Sequence, residues 1–394
     1  MNENWQALCA LLRCTLFQIS SSLPQQINWN EVLQILRHQG VESLISSSTE
    51  VVNLAPAVVQ NHLKSIAERQ VFEYYRFLSV EDELTSLFQT ENIPIEILKG
   101  IASSVYYPHP EYRSLGDIDF LVPPAHFEKA KELLLKNGYQ NASGDYSENR
   151  HFILQKDGIT YEMHRYFTRV ESDQGIKQMD VRIQQAASRP EMVTIAGCSI
   201  PRLPDAENGW VILQHISQHL MQSLTLKQLL DWIMYVAVVC DDQYWETTFA
   251  EIAEASGLKT LAITVARIGQ LYFGLPEEGH HWCCEADEDL CRCLMDQVME
   301  GKADGTDSAS NVVASVFVRS DGIVGLFRNL QSCGKTNWAH TLEKYPFLSP
   351  FAWLYQACRY AHRGLMREKP LQALKQDRQK AKERTELYKR LGIK

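Results

Sequence analysis

Through residues 1–90 the apolar positions recur at helical spacing. They run through Trp5, Leu8, Leu11 and Leu12, then Val32, Leu33 and Leu36, then Val71, Tyr74, Tyr75 and Leu78, then Val80, Leu84, Leu87 and Phe88. That period predicts amphipathic helices. Ser20-Ser21-Ser22 and Ser46-Ser47-Ser48-Thr49 mark the breaks between them, and Glu91-Asn92-Ile93-Pro94 closes the run. From about 95 to 200 the pattern changes to short alternating stretches. Ile95-Glu96-Ile97-Leu98 reads as a strand ending at Lys99-Gly100, followed by helical signal to Tyr106 and a loop at Pro108 and Pro110. A strand through Asp117 is ended by Pro123-Pro124, and Phe127 to Lys136 is an amphipathic helix stopped at Gly138. His151-Phe152-Ile153-Leu154 and Ile159 to Arg165 flank Lys156-Asp157-Gly158, a hairpin signal. After Pro201 helices return: one capped at Pro204-Asp205 with Trp210, Leu213, Ile216 and Leu220, and a nearly apolar one from Leu226 to Val239. Residues 300–311 read as a loop and the tail from Pro370 as a charged helix. The expected fold is α+β, a small mixed-sheet core over 91–200 between a helical segment, 1–90, and a helical domain, 201–394.

Composition narrows the class without naming a chemistry. A chain of 394 residues, 45% hydrophobic and 22% charged, has the make-up of a globular protein of two or three domains. Its net charge of −9 disfavours broad binding to nucleic acid. Arg363 to Lys394 holds eleven basic and four acidic residues, +7, so the remainder carries −16 (−9 minus 7). Arg13 interrupts the apolar run from Trp5 to Phe17, and no stretch is apolar enough to span a bilayer. Ten cysteines without secretory features point to reduced thiols, and a cytoplasmic protein is expected.

The candidate chemistry lies in Gly116-Asp117-Ile118-Asp119-Phe120-Leu121-Val122 and Ile159-Thr160-Tyr161-Glu162-Met163-His164. In a strand, Asp117 and Asp119 share one face while Ile118 and Phe120 share the other. Adjacent carboxylates repel and need a cation. Mg²⁺, or Mn²⁺ in its place, takes oxygen ligands and leaves positions for substrate phosphates. With Glu162 on the same face as Thr160 and His164 of a second strand, three acids suit two-metal phosphoryl transfer. Surface aspartates on a half-exposed strand are the plain alternative, and they account poorly for Asp119 because Leu121-Val122 continue the apolar strand.

Lys99 and Arg113 are the candidate cations for a triphosphate, Arg113 through forked bonds; an ion pair with Asp117 or Glu111 is its alternative. Ser103 and Ser104 could offer hydroxyls near a helix N-terminus after Gly100. His164 has three readings: orienting a carboxylate, touching substrate, or packing; His151 has a weaker claim. His215 and His219, four apart, lack the Glu of a zinc-protease helix and read as a packed pair. His280, His281, Cys283, Cys284, Cys291 and Cys293 have spacings that suit buried thiols better than a zinc knuckle. The basic tail, with Asp377, Glu383 and Glu386 among its cations, reads as a solvated helix.

Leu98-Lys99-Gly100-Ile101-Ala102, Tyr106-Tyr107-Pro108, Arg113 to Val122, Gly138-Tyr139 and Tyr161-Glu162-Met163-His164-Arg165 together resemble the uncharacterised nucleotidyltransferase family of the polymerase-beta-like superfamily. The likeness continues into Pro204-Asp205, the His215/His219 helix, Leu229-Leu230-Asp231, Tyr345-Pro346-Phe347 and Pro350-Phe351-Ala352-Trp353, spanning most of 95–365. The resemblance implies a short mixed sheet with two acids on one strand and a third on its neighbour, Asp117 and Asp119 binding two Mg²⁺ and Glu162 completing the set. It also implies an NTP as donor and a small molecule or peptide as acceptor. The chain departs from the superfamily pattern: Gly100 is followed by Ile101, and sixteen residues separate Gly100 from Asp117. Two other readings stand beside it. One is a nucleotide-sugar glycosyltransferase using the same D-x-D, which requires a nucleotide-binding α/β domain ahead of the motif. The other is an inactive core serving as a binding module.

Overall fold

The computed structural model describes residues 2–20, 23, 24, 26–142, 151–167, 174–220 and 224–300, with parts of 327–365 and 383–392. The loop expected over 300–311 lies outside these residues beyond Glu300, as does the tail helix from Pro370 to residue 382.

Four helices open the chain: α1 (Glu3–Phe17), α2 (Trp29–His38), α3 (Thr49–Leu54) and the long α4 (Ala57–Thr90). The expected serine break is a cap, since the Ser48 hydroxyl accepts from the Val51 amide and so starts α3. Then come β1 (Glu96–Leu98), the short α5 (Gly100–Ser104), β2 (Asp117–Leu121), α6 (Phe127–Lys136), β3 (Gln140–Asn141), β4 (His151–Lys156) and β5 (Ile159–His164). Asp157 and Gly158 turn the β4–β5 hairpin with φ of 51° and 75°, the left-handed pair a two-residue turn demands. α7 (Gln174–Ala186) precedes a second hairpin, β6 (Glu191–Ile195) and β7 (Cys198–Arg202), turned by Ala196 and Gly197 at φ of 48° and 89°. This hairpin, α7 and β3 were not predicted from the pattern.

Seven strands form one mixed sheet in the order β3-β4-β5-β2-β1-β7-β6. β2 runs parallel to β5 and antiparallel to β1. The two faces of β2 go to different places. Ile118 and Phe120 join Tyr74, Phe77, Leu84 and Phe88 of α4 and Phe127, Ala130 and Leu134 of α6 in one apolar layer. Each such phenylalanine contributes about 2–3 kcal/mol by leaving water. Leu98 and Leu121 instead join a larger helical core. The acid-bearing face of the sheet therefore looks toward the helices.

That core is built by α8 (Asp205–Leu220), α9 (Leu226–Val238), α10 (Asp242–Tyr244), α11 (Ala250–Ala255), α12 (Lys259–Ile268) and α13 (Glu288–Glu300), together with α1 and α2. α8 and α9 touch closely: a Cβ on Gly209 would collide with the Tyr235 ring. Leu387, Tyr388 and Leu391 of the tail are buried in the same core, and Arg390 pairs with Asp287 and Asp289. The described end of the tail docks, where a solvated helix was expected. Cores and segments do not coincide along the chain. The first half of α4 enters the helical core through Leu63, and its second half roofs the sheet.

Candidate active site

Parallel pairing sets Asp117 opposite Thr160, Asp119 opposite Glu162 and Leu121 opposite His164. Asp119 and Glu162 thus stand side by side on one face, and antiparallel pairing puts Leu98 on the other flank of Asp119. Lys99 follows Leu98 in a left-handed conformation, φ 50° and ψ −142°, a costly geometry for a residue with a Cβ. It sends Nζ back to Asp119 Oδ1 at 2.8 Å. Gly100 has φ 41°, and a Cβ there meets only ordinary contacts, so glycine serves the turn and not the space.

Two cationic or hydrogen-bonding groups converge on one oxygen. Asp119 Oδ1 lies 2.8 Å from Lys99 Nζ and 2.9 Å from His164 Nε2, which is also 3.7 Å from Glu162 Oε2. Asp119 and His164 are each 3% exposed, whereas the Glu162 side chain is partly open. One ligand atom from each of Asp119, Glu162 and His164 falls within 4.8 Å of the others, the separation a single ion can bridge. Among the described residues this is the one group of three or more such ligands. Asp117, an exposed residue, opens the strand two residues earlier on the same face.

The electrostatics follow from this packing. Burial alone would raise the Asp119 pKa, but Lys99 and then His164 hold it well below the usual carboxylate range. Asp117 is raised by desolvation and by Asp119, against the pull of Lys99 and Lys227. Burial alone would discharge Lys99; Asp119, Asp117 and Glu162 outweigh it and keep the ammonium charged. The donor set, two carboxylates and an imidazole with a third carboxylate beside them, fits a divalent cation.

Other expected phosphate contacts lie elsewhere. Arg113 is buried and gives both arms of its fork to Asp231, at 2.7 Å each, while Tyr107 donates to the same carboxylate at 2.9 Å. An ion pair is formed, but its partner comes from α9 and is neither Asp117 nor Glu111. Ser103 and Ser104 are fully buried; the Ser104 hydroxyl donates to the Ile101 carbonyl at 2.8 Å and meets Tyr74. A one-turn helix has brought these hydroxyls inward, because its apolar neighbours Ile101 and Ala102 pack under the sheet.

His151 faces His164 across the β4–β5 ladder, ring centres 5.7 Å apart. His215 and His219 pack edge to face at 4.3 Å, as helix spacing suggested. His280 Nε2 lies 3.1 Å from the Val236 carbonyl and His281 pairs with Asp242, while burial pushes the Cys291 thiol up to about 12.

Two groups escaped the sequence reading. Lys227, in the first turn of α9, is lowered to about 8 by burial and by Arg113, against Asp231 and Asp117. It stands one helical turn before Asp231 on the same face of α9, the helix that the Arg113 pair ties to the loop ahead of β2. A lysine inside a nearly apolar helix was the available signal. Glu81 of α4 is 1% exposed, and burial followed by Asp119 raises its pKa well above the ordinary value. A glutamate on an amphipathic helix carried no signal.

A family model described as "Uncharacterised nucleotidyltransferase" matches residues 25–274, more than half of the chain. The chain belongs to this family. The match takes in the whole sheet with α8 and α9, and hence Lys99, Arg113, Asp117, Asp119, Glu162, Lys227 and Asp231. It starts earlier than the motif likeness and ends before Tyr345-Pro346-Phe347 and Pro350-Phe351-Ala352-Trp353. No curated protein matches the chain. Membership in a nucleotidyltransferase family supports transferase chemistry on a nucleotide substrate. Among the described residues no helix is long and apolar enough to cross a membrane.

Proposed function

We propose that this chain moves a nucleoside monophosphate from an NTP to a hydroxyl or phosphate on a small-molecule or peptide acceptor, releasing pyrophosphate. The observation that carries the reading is the pairing of Asp119 with Glu162 on neighbouring parallel strands, with Asp117 on the same face, inside the family match. Asp117, Asp119 and Glu162 are the residues to hold Mg²⁺ or Mn²⁺. When bound, such ions offset triphosphate charge and acidify an attacking hydroxyl. Glu162, partly open beside the buried Asp119, is positioned to accept the acceptor's proton. Lys99, on Asp119, and Lys227, at the start of α9 and within electrostatic reach of Asp117, supply positive charge for the departing pyrophosphate. Arg113 acts one step back, fixing α9 through Asp231. The glycosyltransferase reading needs a nucleotide-binding α/β unit ahead of the acids; α1 to α4 occupy that stretch.

The test is incubation with each NTP, Mg²⁺ and a panel of hydroxyl and phosphate acceptors, read by mass spectrometry for an added nucleotide and by pyrophosphate release. Asp119→Asn and Glu162→Gln should each lower turnover roughly 10²-fold or more. Undiminished product from Asp119→Asn removes the acid site from the mechanism.

A further inference from the structure

We infer that His164 is itself a metal ligand, so that the ion between Asp119 and Glu162 is of the first-row transition class, Mn²⁺ being the probe, in preference to Mg²⁺. This deepens the nucleotidyl-transfer reading and rests on it.

The geometry is specific to one nitrogen. Nε2 of His164 faces Asp119 Oδ1 at 2.9 Å and Glu162 Oε2 at 3.7 Å, and the three groups lie within 4.8 Å of one another. The ring cannot easily turn away. It is 3% exposed, sits at the end of β5 opposite Leu121, and is bracketed by His151 at 5.7 Å and Phe167 at 5.9 Å. A ring held this way already has the direction a ligand needs.

The chemistry of the donor set then decides the ion. Carboxylate and water suit Mg²⁺, which rarely accepts imidazole, whereas mixed nitrogen and oxygen sets suit first-row transition ions. Coordination uses the lone pair of Nε2, so the ring is neutral with its proton on Nδ1. The Nε2 proton that meets Asp119 in the ion-free protein would leave to water as an ion bound; a ring that began neutral would take one up at Nδ1, and Asp119 and His164 would then each be free to bind the ion. Lys99 Nζ contacts the same Asp119 oxygen at 2.8 Å, so a dication bound there would take the place of the ammonium and keep the imidazole as a ligand. Lys99 would then be free to meet a nucleotide phosphate. Asp117 stands outside the trio at the open end of β2 and is left as an oxygen-only position for a second, harder ion carried by the nucleotide.

The experiment reads the ion directly, without nucleotide and without turnover. Mn²⁺ is titrated into the full-length protein by electron paramagnetic resonance, and pulsed measurements record nitrogen coupling to the bound ion. The wild type should bind Mn²⁺ at least tenfold more tightly than Mg²⁺ and show directly coordinated nitrogen. His164→Gln should lose the coupling and the preference while Mg²⁺ affinity stays within about twofold; His151→Gln should keep both. Bound Mn²⁺ with no nitrogen coupling in the wild type overturns the role of His164 and leaves the transferase reading standing. Coupling that survives His164→Gln does the same. Failure of any divalent ion to bind, with or without NTP, removes the transferase reading as well. The wild-type spectrum decides the matter even if a variant folds poorly, and a melting curve identifies such a variant.

Discussion

Single residues in this site are set by what they touch. Lys227 has the sharpest consequence, because Lys99 and Arg113 each hold a carboxylate within 2.8 Å, while burial, Arg113 and Lys99 together outweigh the pull of Asp231 and Asp117 on Lys227. A triphosphate relieves that pressure. Lys227→Met should raise KM for the NTP about tenfold with a smaller change in kcat, and should cut binding of inorganic tripolyphosphate in a calorimeter. Equal tripolyphosphate affinity in the variant sinks that role. Glu96 gives a second case at this scale. Its carboxyl is fully buried in β1, neither oxygen has a hydrogen-bond partner among the described residues, and burial with Glu191 lifts its pKa to about 9. An acid with a raised folded pKa keeps its proton in the fold and loses it in the unfolded chain. Stability is therefore intact below the unfolded value and declines as pH climbs from about 4.5 toward 9. Glu96→Gln should stabilise by roughly 3 kcal/mol at pH 7 and by little at pH 4. Thermal melts at the two pH values check this; an equal shift at both contradicts it.

At the scale of elements, the joint between sheet and helices is a buried ion pair. Arg113, four residues ahead of β2, grips Asp231 in the middle of α9, and Tyr107 completes the knot. Removing one partner leaves the other charged in a dry place. Asp231→Ala should cost about 3–5 kcal/mol in urea unfolding, and it should weaken NTP binding because α9 also carries Lys227. Stability within 1 kcal/mol of wild type would show the knot to be solvated. Several elements were legible beforehand. α6 begins at Phe127 and ends at Lys136 where periodicity placed it, and the Asp157-Gly158 turn joins the expected strands. The β6–β7 hairpin was not, because Glu191–Ile195 is mostly exposed and lacks strong alternation. Its Ala196-Gly197 turn was the one usable sign.

For the whole molecule, the sheet does not stand alone. Leu98 and Leu121 bury against a core that also contains Trp5, Leu8, Trp210 and Trp232. A fragment of residues 91–200, expressed by itself, loses the second half of α4 from one face and the helical core from the other. It should show no cooperative melt by circular dichroism, and a sharp transition would establish it as an independent unit.

Local chemistry was enough to put the acids of each strand on a common face, while the parallel β2–β5 pairing set Asp119 beside Glu162. A period of two puts Asp117 with Asp119, and Glu162 with His164, on common faces whatever surrounds them, and the turn residues set where those strands stop. Which cations meet the acids was decided elsewhere. The Arg113 fork bonds to a residue 118 positions away, Lys227 arrives on a helix from the far core, and the serines after Gly100 turn inward. Such contacts depend on how two apolar cores settle against each other. No spacing within a strand or helix encodes that distance, so only the packed chain could assign them.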